Sequence, residues 1–166
     1  MKLRIGHGFD VHRFADAPVS GCELTLGGVR VPHDRPLLAH SDGDVIVHAL
    51  CDAILGALGA GDIGHHFPDH DPRFKDADSC ELLQSVLDRA RSGYWKVVNA
   101  DLTVVAQAPR LAPYVPAMRD RLAGLLEVDQ GCLNIKATTT EGLGFAGRRE
   151  GLAAHAVVLL SASDAA

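Results

Sequence analysis

The spacing of hydrophobic positions changes several times along the first half of the chain. Alternating apolar and polar or small residues predict an opening strand over Lys2–Phe9. Alternating apolar residues on both sides of Gly27-Gly28 predict a hairpin. From Ser41 the period lengthens to that of a helix, which we expect to run to about Gly59, and Ser41 with Asp44 resembles a capping box.

The second half of the chain alternates helical and strand patterns. The predicted elements are a polar loop over Asp62–Lys75, a helix from Asp78 or Ser79 to Gly93, a strand or strand pair over Tyr94–Ala106, a helix from about Pro113, and strands over Cys132–Thr138 and Leu152–Leu160. This order predicts one α/β or α+β domain over residues 1–166, in which helices pack on one face of a sheet.

Charge and apolar run lengths exclude several classes of protein. The chain has 166 residues and a net charge of −5, which disfavours nucleic acid as a partner because phosphate-backbone binding needs clustered basic residues. The longest apolar run, around Ala156–Leu160, is far shorter than the ~20 residues of a membrane span. We therefore expect neither a nucleic-acid partner nor a membrane partner.

The cysteines and the first residues bear on the compartment. Cys22, Cys51, Cys80 and Cys132 are scattered and form no CxxC pair, so we expect free thiols rather than disulfides or a cysteine-rich zinc module. The opening segment MKLRIGHGFDVH lacks the apolar core of a signal peptide. Together these features predict a cytoplasmic protein.

Metal-ligating side chains are concentrated near the N-terminus, where eight of the nine histidines fall within the first 70 residues. Asp10 and His12 are two apart on the opening strand, so they point the same way, and His48 on the first helix offers a third ligand. One carboxylate and two imidazoles with an open fourth position are typical of catalytic zinc. Asp44 and Asp52, four residues from His48 on either side, are candidates to orient its imidazole. Alternatively, His12 is a surface residue and His48 a hydrogen-bonded core residue.

Three further segments could carry chemistry. His40-Ser41 directly precedes the helix, where free N–H groups can bind an anion, although Ser41 also suits a simple cap. The Asp62–Lys75 loop could pack its backbone against a ligand or be merely solvated. The run Thr138–Glu141 offers hydroxyls for phosphate and a carboxylate for Mg²⁺, but threonines are also ordinary strand residues. The GxGxxG run at 142–147 lacks the βαβ context of a dinucleotide site.

Five blocks, in one order and over most of the chain, carry a resemblance to a known family. They are GHGFDVH, LLAHSDGDV, GDIG with FPD, AQAPRL and ATTTEGLGF. This set resembles the 2-C-methyl-D-erythritol 2,4-cyclodiphosphate synthases of the non-mevalonate isoprenoid pathway. The resemblance implies conversion of 4-diphosphocytidyl-2-C-methyl-D-erythritol 2-phosphate to the cyclic diphosphate with release of CMP, a phosphorus–oxygen lyase reaction.

The resemblance also implies cofactors and an assembly. It assigns Zn²⁺ to Asp10, His12 and His48, and Mg²⁺ or Mn²⁺, bound with the substrate diphosphate, to Glu141. It implies a homotrimer of ferredoxin-like subunits whose active sites are shared between neighbours. A central channel in that trimer is a possible site for isoprenoid diphosphates, near Phe145 and Arg148.

Residue roles follow from the same resemblance. His40 and Thr139 correspond to the residues that stabilise the transition state. The residues assigned to substrate binding are Asp10, His12, His40, Ser41, Asp62, Ile63, Gly64, Phe67, Pro68, Asp69, His70, Asp71, Ala106, Gln107, Ala108, Pro109, Arg110, Leu111, Ala112, Thr138, Thr139, Thr140, Glu141, Phe145 and Arg148.

Three positions depart from the family pattern, and two other functions stay open. Arg110 and Gly142 stand where many members have lysine, and His155 is often acidic in relatives, which puts the channel ligand in doubt. The alternatives are a zinc-dependent phosphohydrolase, which would activate water at the same three ligands, and a non-catalytic module that binds isoprenoid diphosphates.

Overall fold

The computed structural model describes residues 2–162, so Met1 and residues 163–166 of the predicted domain lie outside the described part. The strands are β1 (Lys2–Arg13), β2 (Glu23–Leu26), β3 (Val29–Pro32), β4 (Trp95–Val105), β5 (Leu133–Thr138) and β6 (Gly151–Ala162). The helices are α1 (Val45–Leu58), α2 (Ile63–His66), α3 (Ser79–Ser92), α4 (Val115–Leu126) and α5 (Gly144–Gly147).

The main sheet has the strand order β1-β6-β4-β5, and β2 pairs with β3 in a separate hairpin. Neighbouring strands are antiparallel except β4 and β5, which are parallel and joined through α4. The expected mixed α/β fold is confirmed. The ferredoxin-like expectation is wrong in its connectivity. That fold has the order β-α-β-β-α-β, whereas the main-sheet strands here follow the order β-α-β-α-β-β, apart from the four-residue helix α5 before β6.

One face of the sheet carries the helices. On β1 the even positions face α1, as buried Gly6 and Gly8 show, while Ile5 and Phe9 at odd positions are exposed. The helix α1 also packs against β6 and α3, so it is buried on nearly all sides and is apolar all round. No helix among residues 2–162 has the length and apolar character needed to cross a bilayer.

The first helix begins three residues later than the capping-box pattern with Ser41 as N-cap predicts. Asp44 is the N-cap, and its carboxylate accepts hydrogen bonds from the N–H groups of Ile46 and Val47 at 3.1 Å. The same carboxylate accepts N–H bonds from Gly27 at 2.9 Å and Gly28 at 2.7 Å. Asp44 therefore connects the β2–β3 turn to the start of α1. The two residues of this contact, Gly27 and Asp44, are 17 apart in sequence, so no local pattern predicts it.

Most other predicted elements are confirmed with small shifts. The hairpin, α3 with its Asp78 cap, and the strand ending at Thr138 lie where expected, and the segment after Tyr94 is one strand rather than two. The predicted loop after Asp62 contains the short helix α2, because the Asp62 carboxylate accepts the His65 N–H bond and starts a helical turn. The glycine-rich segment before β6 contains α5.

The contact between α1 and β1 is a backbone-to-backbone contact at two glycines. A Cβ atom placed on Gly6 would lie 1.8 Å from the carbonyl oxygen of Ala53, and one on Gly8 would lie 1.9 Å from that of Ala49. Real Cβ atoms never approach this closely, so the strand can lie against the helix only where side chains are absent.

We expect Gly8→Ala to push α1 away from β1 and to lower the free energy of unfolding by at least ~1–3 kcal/mol, the usual cost of overpacking. The matched control is Gly56→Ala on the exposed side of α1, where a Cβ atom meets nothing nearer than 3.8 Å. Because Ala is the better helix residue, the control should stabilise by ~0.5–1 kcal/mol. Urea unfolding measures both, and equal stability of the two variants would contradict the close contact.

Candidate metal centre and cleft

Three side chains from β1 and α1 converge at the edge of the sheet. Asp10 and His12 lie on the helix-facing side of β1, and His48 lies on the facing turns of α1. The Asp10 Oδ2 atom is 3.0 Å from His48 Nδ1 and 3.1 Å from His12 Nε2, and the two imidazole nitrogens are 3.1 Å apart. The predicted triad is therefore assembled in the structure.

The donor set fits a divalent cation. Zinc bonds of ~2.0–2.1 Å in a tetrahedral site place neighbouring ligand atoms about 3.3 Å apart, close to the three separations found here. A hydrogen bond can join only two of these three atoms through one proton, whereas a single cation can contact all three. A carboxylate with two imidazoles is also a typical catalytic zinc set.

The electrostatics of the triad are mutually reinforcing. Burial opposes ionisation of Asp10, but the hydrogen bonds and charges of His12 and His48 outweigh it and hold the pKa of the carboxyl well below its usual range. Burial lowers the pKa of His48, while Asp10 raises it, and the net direction is upward. The pair thus favours an ionised carboxylate, which is the form that ligates a metal.

Neither carboxylate that sequence spacing suggests orients His48. Asp44 is engaged in capping, and Asp52 accepts the Ile63 N–H bond at 2.7 Å, which fixes the start of α2. Instead, His48 Nε2 lies 2.8 Å from the hydroxyl of Ser79 and 3.2 Å from that of Ser41. The prediction from the i±4 spacing was wrong because the carboxylates of Asp44 and Asp52 accept hydrogen bonds from other backbone N–H groups.

A cleft of about 370 Å³ opens beside the triad. It brings together several predicted site residues from different segments. The predicted residues that line it are Asp10, His12, His40, Ser41, His48, Ile63, Gly64, Phe67 and Asp69. Sequence reasoning missed four apolar lining residues, because an apolar residue at a cleft looks the same in sequence as one in the core. They are Leu38, Ala39, Phe74 and Leu82.

The rest of the predicted loop lies around the cleft rather than in its lining. Asp62 caps α2, and the carbonyl oxygen of Asp71 lies 3.4 Å from His40 Nε2. The Asp71 carboxylate is paired with Arg73 at 2.6 Å, and this guanidinium lowers the pKa of Asp71 to about 2. Pro68 and His70 are likewise absent from the lining.

A second group of predicted residues lies at the opposite edge of the sheet. The segments 106–112 and 138–141 adjoin, since the Ala106 N–H donates to the Thr138 carbonyl at 2.9 Å. Strand register places Thr138 level with Val11 but three strands away, which is about 14 Å at ~4.8 Å per strand. Within this chain, these segments therefore do not reach the metal cleft.

This second group has features of its own. The Thr139 hydroxyl donates to Glu141 Oε1 at 3.0 Å, and Glu141 has the left-handed φ of 53°. Gln107 Oε1 is buried and has no hydrogen-bond partner among residues 2–162. An unpaired buried acceptor is costly, so this amide is suited to receive a donor from outside the chain.

Phe145 and Arg148 belong to a third location. They line a separate cleft of about 560 Å³ with Arg13, Arg35 and Arg149, and Arg148 pairs with Glu150 at 2.8 Å. Residue His155 lies on the exposed face of the sheet, with Nδ1 at 3.2 Å from His7 Nε2. The two clefts adjoin, since His12 lines both, but Phe145, Arg148 and His155 are not in the lining of the metal cleft.

Comparisons with known proteins agree on one family. The YgbB family model matches residues 3–161. The chain is 60% identical over 158 residues to 2-C-methyl-D-erythritol 2,4-cyclodiphosphate synthase of Pseudomonas putida (strain W619), covering 95% of this chain and 98% of the relative. It is 59% identical over 161 residues to the synthase of Geobacillus kaustophilus, covering 97% and 99%.

Solved structures agree with the fold. Bifunctional IspDF from Campylobacter jejuni matches with 46% identity and a TM-score of 0.89, over 98% of this chain and 43% of that one. A CDP complex of IspF from Plasmodium falciparum matches with 31% identity and a TM-score of 0.83, over 98% and 97%. The chain therefore belongs to the YgbB family, whose matching relatives are 2-C-methyl-D-erythritol 2,4-cyclodiphosphate synthases.

Proposed function

We propose that this chain converts 4-diphosphocytidyl-2-C-methyl-D-erythritol 2-phosphate to 2-C-methyl-D-erythritol 2,4-cyclodiphosphate and CMP. The observation that carries the proposal is the Asp10, His12 and His48 triad at an open cleft, in a chain whose full-length relatives are named for this product. A cytidine diphosphate-linked substrate agrees with the CDP bound by the Plasmodium relative.

The reaction needs no nucleophile from the protein. An oxygen of the 2-phosphate forms a bond to the β-phosphorus, the bond from that phosphorus to the bridging oxygen breaks, and CMP leaves with the electron pair. What the protein contributes is positioning and charge neutralisation, the main work in phosphoryl transfer. The chain thus fits the reaction without a serine or cysteine nucleophile.

The metal proposal follows from the donor set. Asp10, His12 and His48 would hold Zn²⁺, and the single carboxylate leaves net positive charge at the cleft. A divalent ion there supplies the charge that neutralises phosphate oxygens. Glu141, at the other edge of the sheet, would hold Mg²⁺ or Mn²⁺ with the diphosphate, which suits a hard oxygen ligand.

The other roles are assigned by position. His40 and Ser41 line the metal cleft, where they can contact phosphate, and Ile63 and Gly64 with the Phe67–Asp71 loop would hold the methylerythritol end. Segments 106–112 and 138–141 would hold the cytidine and the diphosphate, with Thr139 as a donor to the transition state. We propose that residues 1–166 act as one domain, since helices and sheet share a single contiguous core.

We further propose a homotrimer with sites shared between subunits. Support comes from the two half-sites, which lie at opposite edges of one sheet and so cannot meet within one chain. Support also comes from the exposed sheet face, where Leu3, Ile5 and Val157 present apolar surface. Phe145 and Arg148 would then adjoin the channel proposed for isoprenoid diphosphates, and a cytoplasmic location stays a prediction.

The first test pairs metal analysis with product analysis. We expect about one zinc per chain, CMP release, and a cyclic diphosphate in the phosphorus NMR spectrum. His48→Ala should lose both zinc and turnover, because three ligands become two, whereas His65→Ala at an exposed histidine outside the lining should keep both. A linear phosphate product would favour the hydrolase, and ligand binding without turnover would favour the binding module.

The second test concerns the shared site. Mixed trimers of Asp10→Asn and Thr139→Ala subunits should regain activity in about one of three sites, because one pair of neighbours supplies both intact halves. Mixed trimers of Asp10→Asn and His48→Ala, both defective in the metal half, are the control and should stay inactive. Doubly tagged hetero-oligomers are isolated before assay, and no recovery in them would contradict sites between subunits.

A further inference from the structure

We propose that Ser79 and Asp42 hold the proton of His48 on Nε2 and so present Nδ1 as the metal-ligating atom. This inference rests on the proposed metal site. It assigns Ser79 and Asp42 as positioning residues, which act on the cation through His48 and touch neither the cation nor the substrate.

The chain of contacts runs from the metal centre into the interior. His48 Nδ1 faces Asp10 and His12, while Nε2, on the far side of the ring, lies 2.8 Å from Ser79 Oγ. The Ser79 hydroxyl donates to Asp42 Oδ1, and the Ser79 backbone N–H donates to Asp42 Oδ2 at 3.2 Å. Ser79 is fully buried, so water does not compete for these bonds.

The direction of each bond follows from the donor inventory. A carboxylate can only accept a hydrogen bond, so the Ser79 hydroxyl must donate its one hydrogen to Asp42. Its oxygen then has only lone pairs left for His48, and Nε2 must carry the hydrogen. Asp10 faces Nδ1 as a second carboxylate acceptor, so Nδ1 also carries hydrogen in the metal-free chain. A cation at the triad would displace that proton, and with the Nε2 hydrogen kept on Ser79, Nδ1 would supply the ligating lone pair.

The second hydroxyl near His48 does not supply this control. Ser41 Oγ is farther from Nε2, at 3.2 Å, and it accepts the Gly43 N–H bond at 3.3 Å. Unlike Ser79, it contacts no carboxylate among the hydrogen bonds of the described residues, so its hydroxyl proton is free to turn toward or away from the ring. Ser41 is thus a matched control that removes a hydroxyl from the same ring nitrogen.

Partners of this kind affect metal affinity by about 10–100-fold when they are removed. Part of that effect is orientation, because a ring held at Nε2 cannot rotate Nδ1 away. Part is electronic, because the negative charge of Asp42 polarises the Ser79 hydroxyl and so makes the imidazole a stronger electron-pair donor to a metal. The relay also joins α3 to α1, since Ser79 is the first residue of α3.

The test measures zinc affinity by chelator competition and identifies the ligating nitrogen of His48 by ¹⁵N NMR of the zinc-loaded chain. Ser79→Ala should weaken zinc binding about 10–100-fold and allow ligation through either ring nitrogen. Ser41→Ala should leave both nearly unchanged. Asp42→Asn, which keeps an acceptor but loses the charge, should weaken zinc less than Ser79→Ala does.

Unchanged zinc affinity and ligation through Nδ1 alone in Ser79→Ala, with wild-type thermal unfolding, would overturn the relay. Equal losses in Ser79→Ala and Ser41→Ala would overturn it too, since the Asp42 connection would then be irrelevant. If Ser79→Ala unfolds, Asp42→Asn decides by the same two measurements. Failure of the wild-type chain to bind zinc would instead overturn the proposed metal site on which this inference rests.

Discussion

The approach of α1 to β1 without intervening side chains is the contact on which the candidate metal centre depends. Gly6 and Gly8 let the strand lie against the helix backbone, and two and four residues later the same face of the strand presents Asp10 and His12. Only at that separation does His48 reach them across 3.0–3.1 Å. A wider gap would leave three polar side chains in a half-buried cleft with no common partner.

Periodicity predicted most of the elements because burial on one face leaves a repeating pattern. It failed at the start of α1, where the Asp44 carboxylate serves the hairpin and the helix together. The strand order was likewise beyond the sequence, since pairing of β1 with β6 joins the two ends of the chain. The resemblance supplied the family, but the ferredoxin-like connectivity it suggested was wrong.

Some residues of the candidate site could be predicted from the sequence, and others could not. Asp10 and His12 were predictable because strand geometry aims residues two apart in one direction. The partner of His48 was not, because Ser79 comes from a helix 31 residues away and looks in sequence like an ordinary helix start. The separation of Thr139 from His48 could not be predicted either, because the order of motifs along the chain does not indicate that β6 and β4 lie between β1 and β5.

The pairing of β1 with β6 has a consequence for biosynthesis. β1 is an edge strand, and among residues 2–162 its partner in the main sheet is β6, which ends at Ala162. At ~5–20 residues per second, about 150 residues are added over about 8–30 s before that partner is complete. Two of the three proposed metal ligands lie on β1. The proposed site is therefore completed only after β6 has been synthesised, and a chain truncated before β6 would lack the strand that holds those ligands in place.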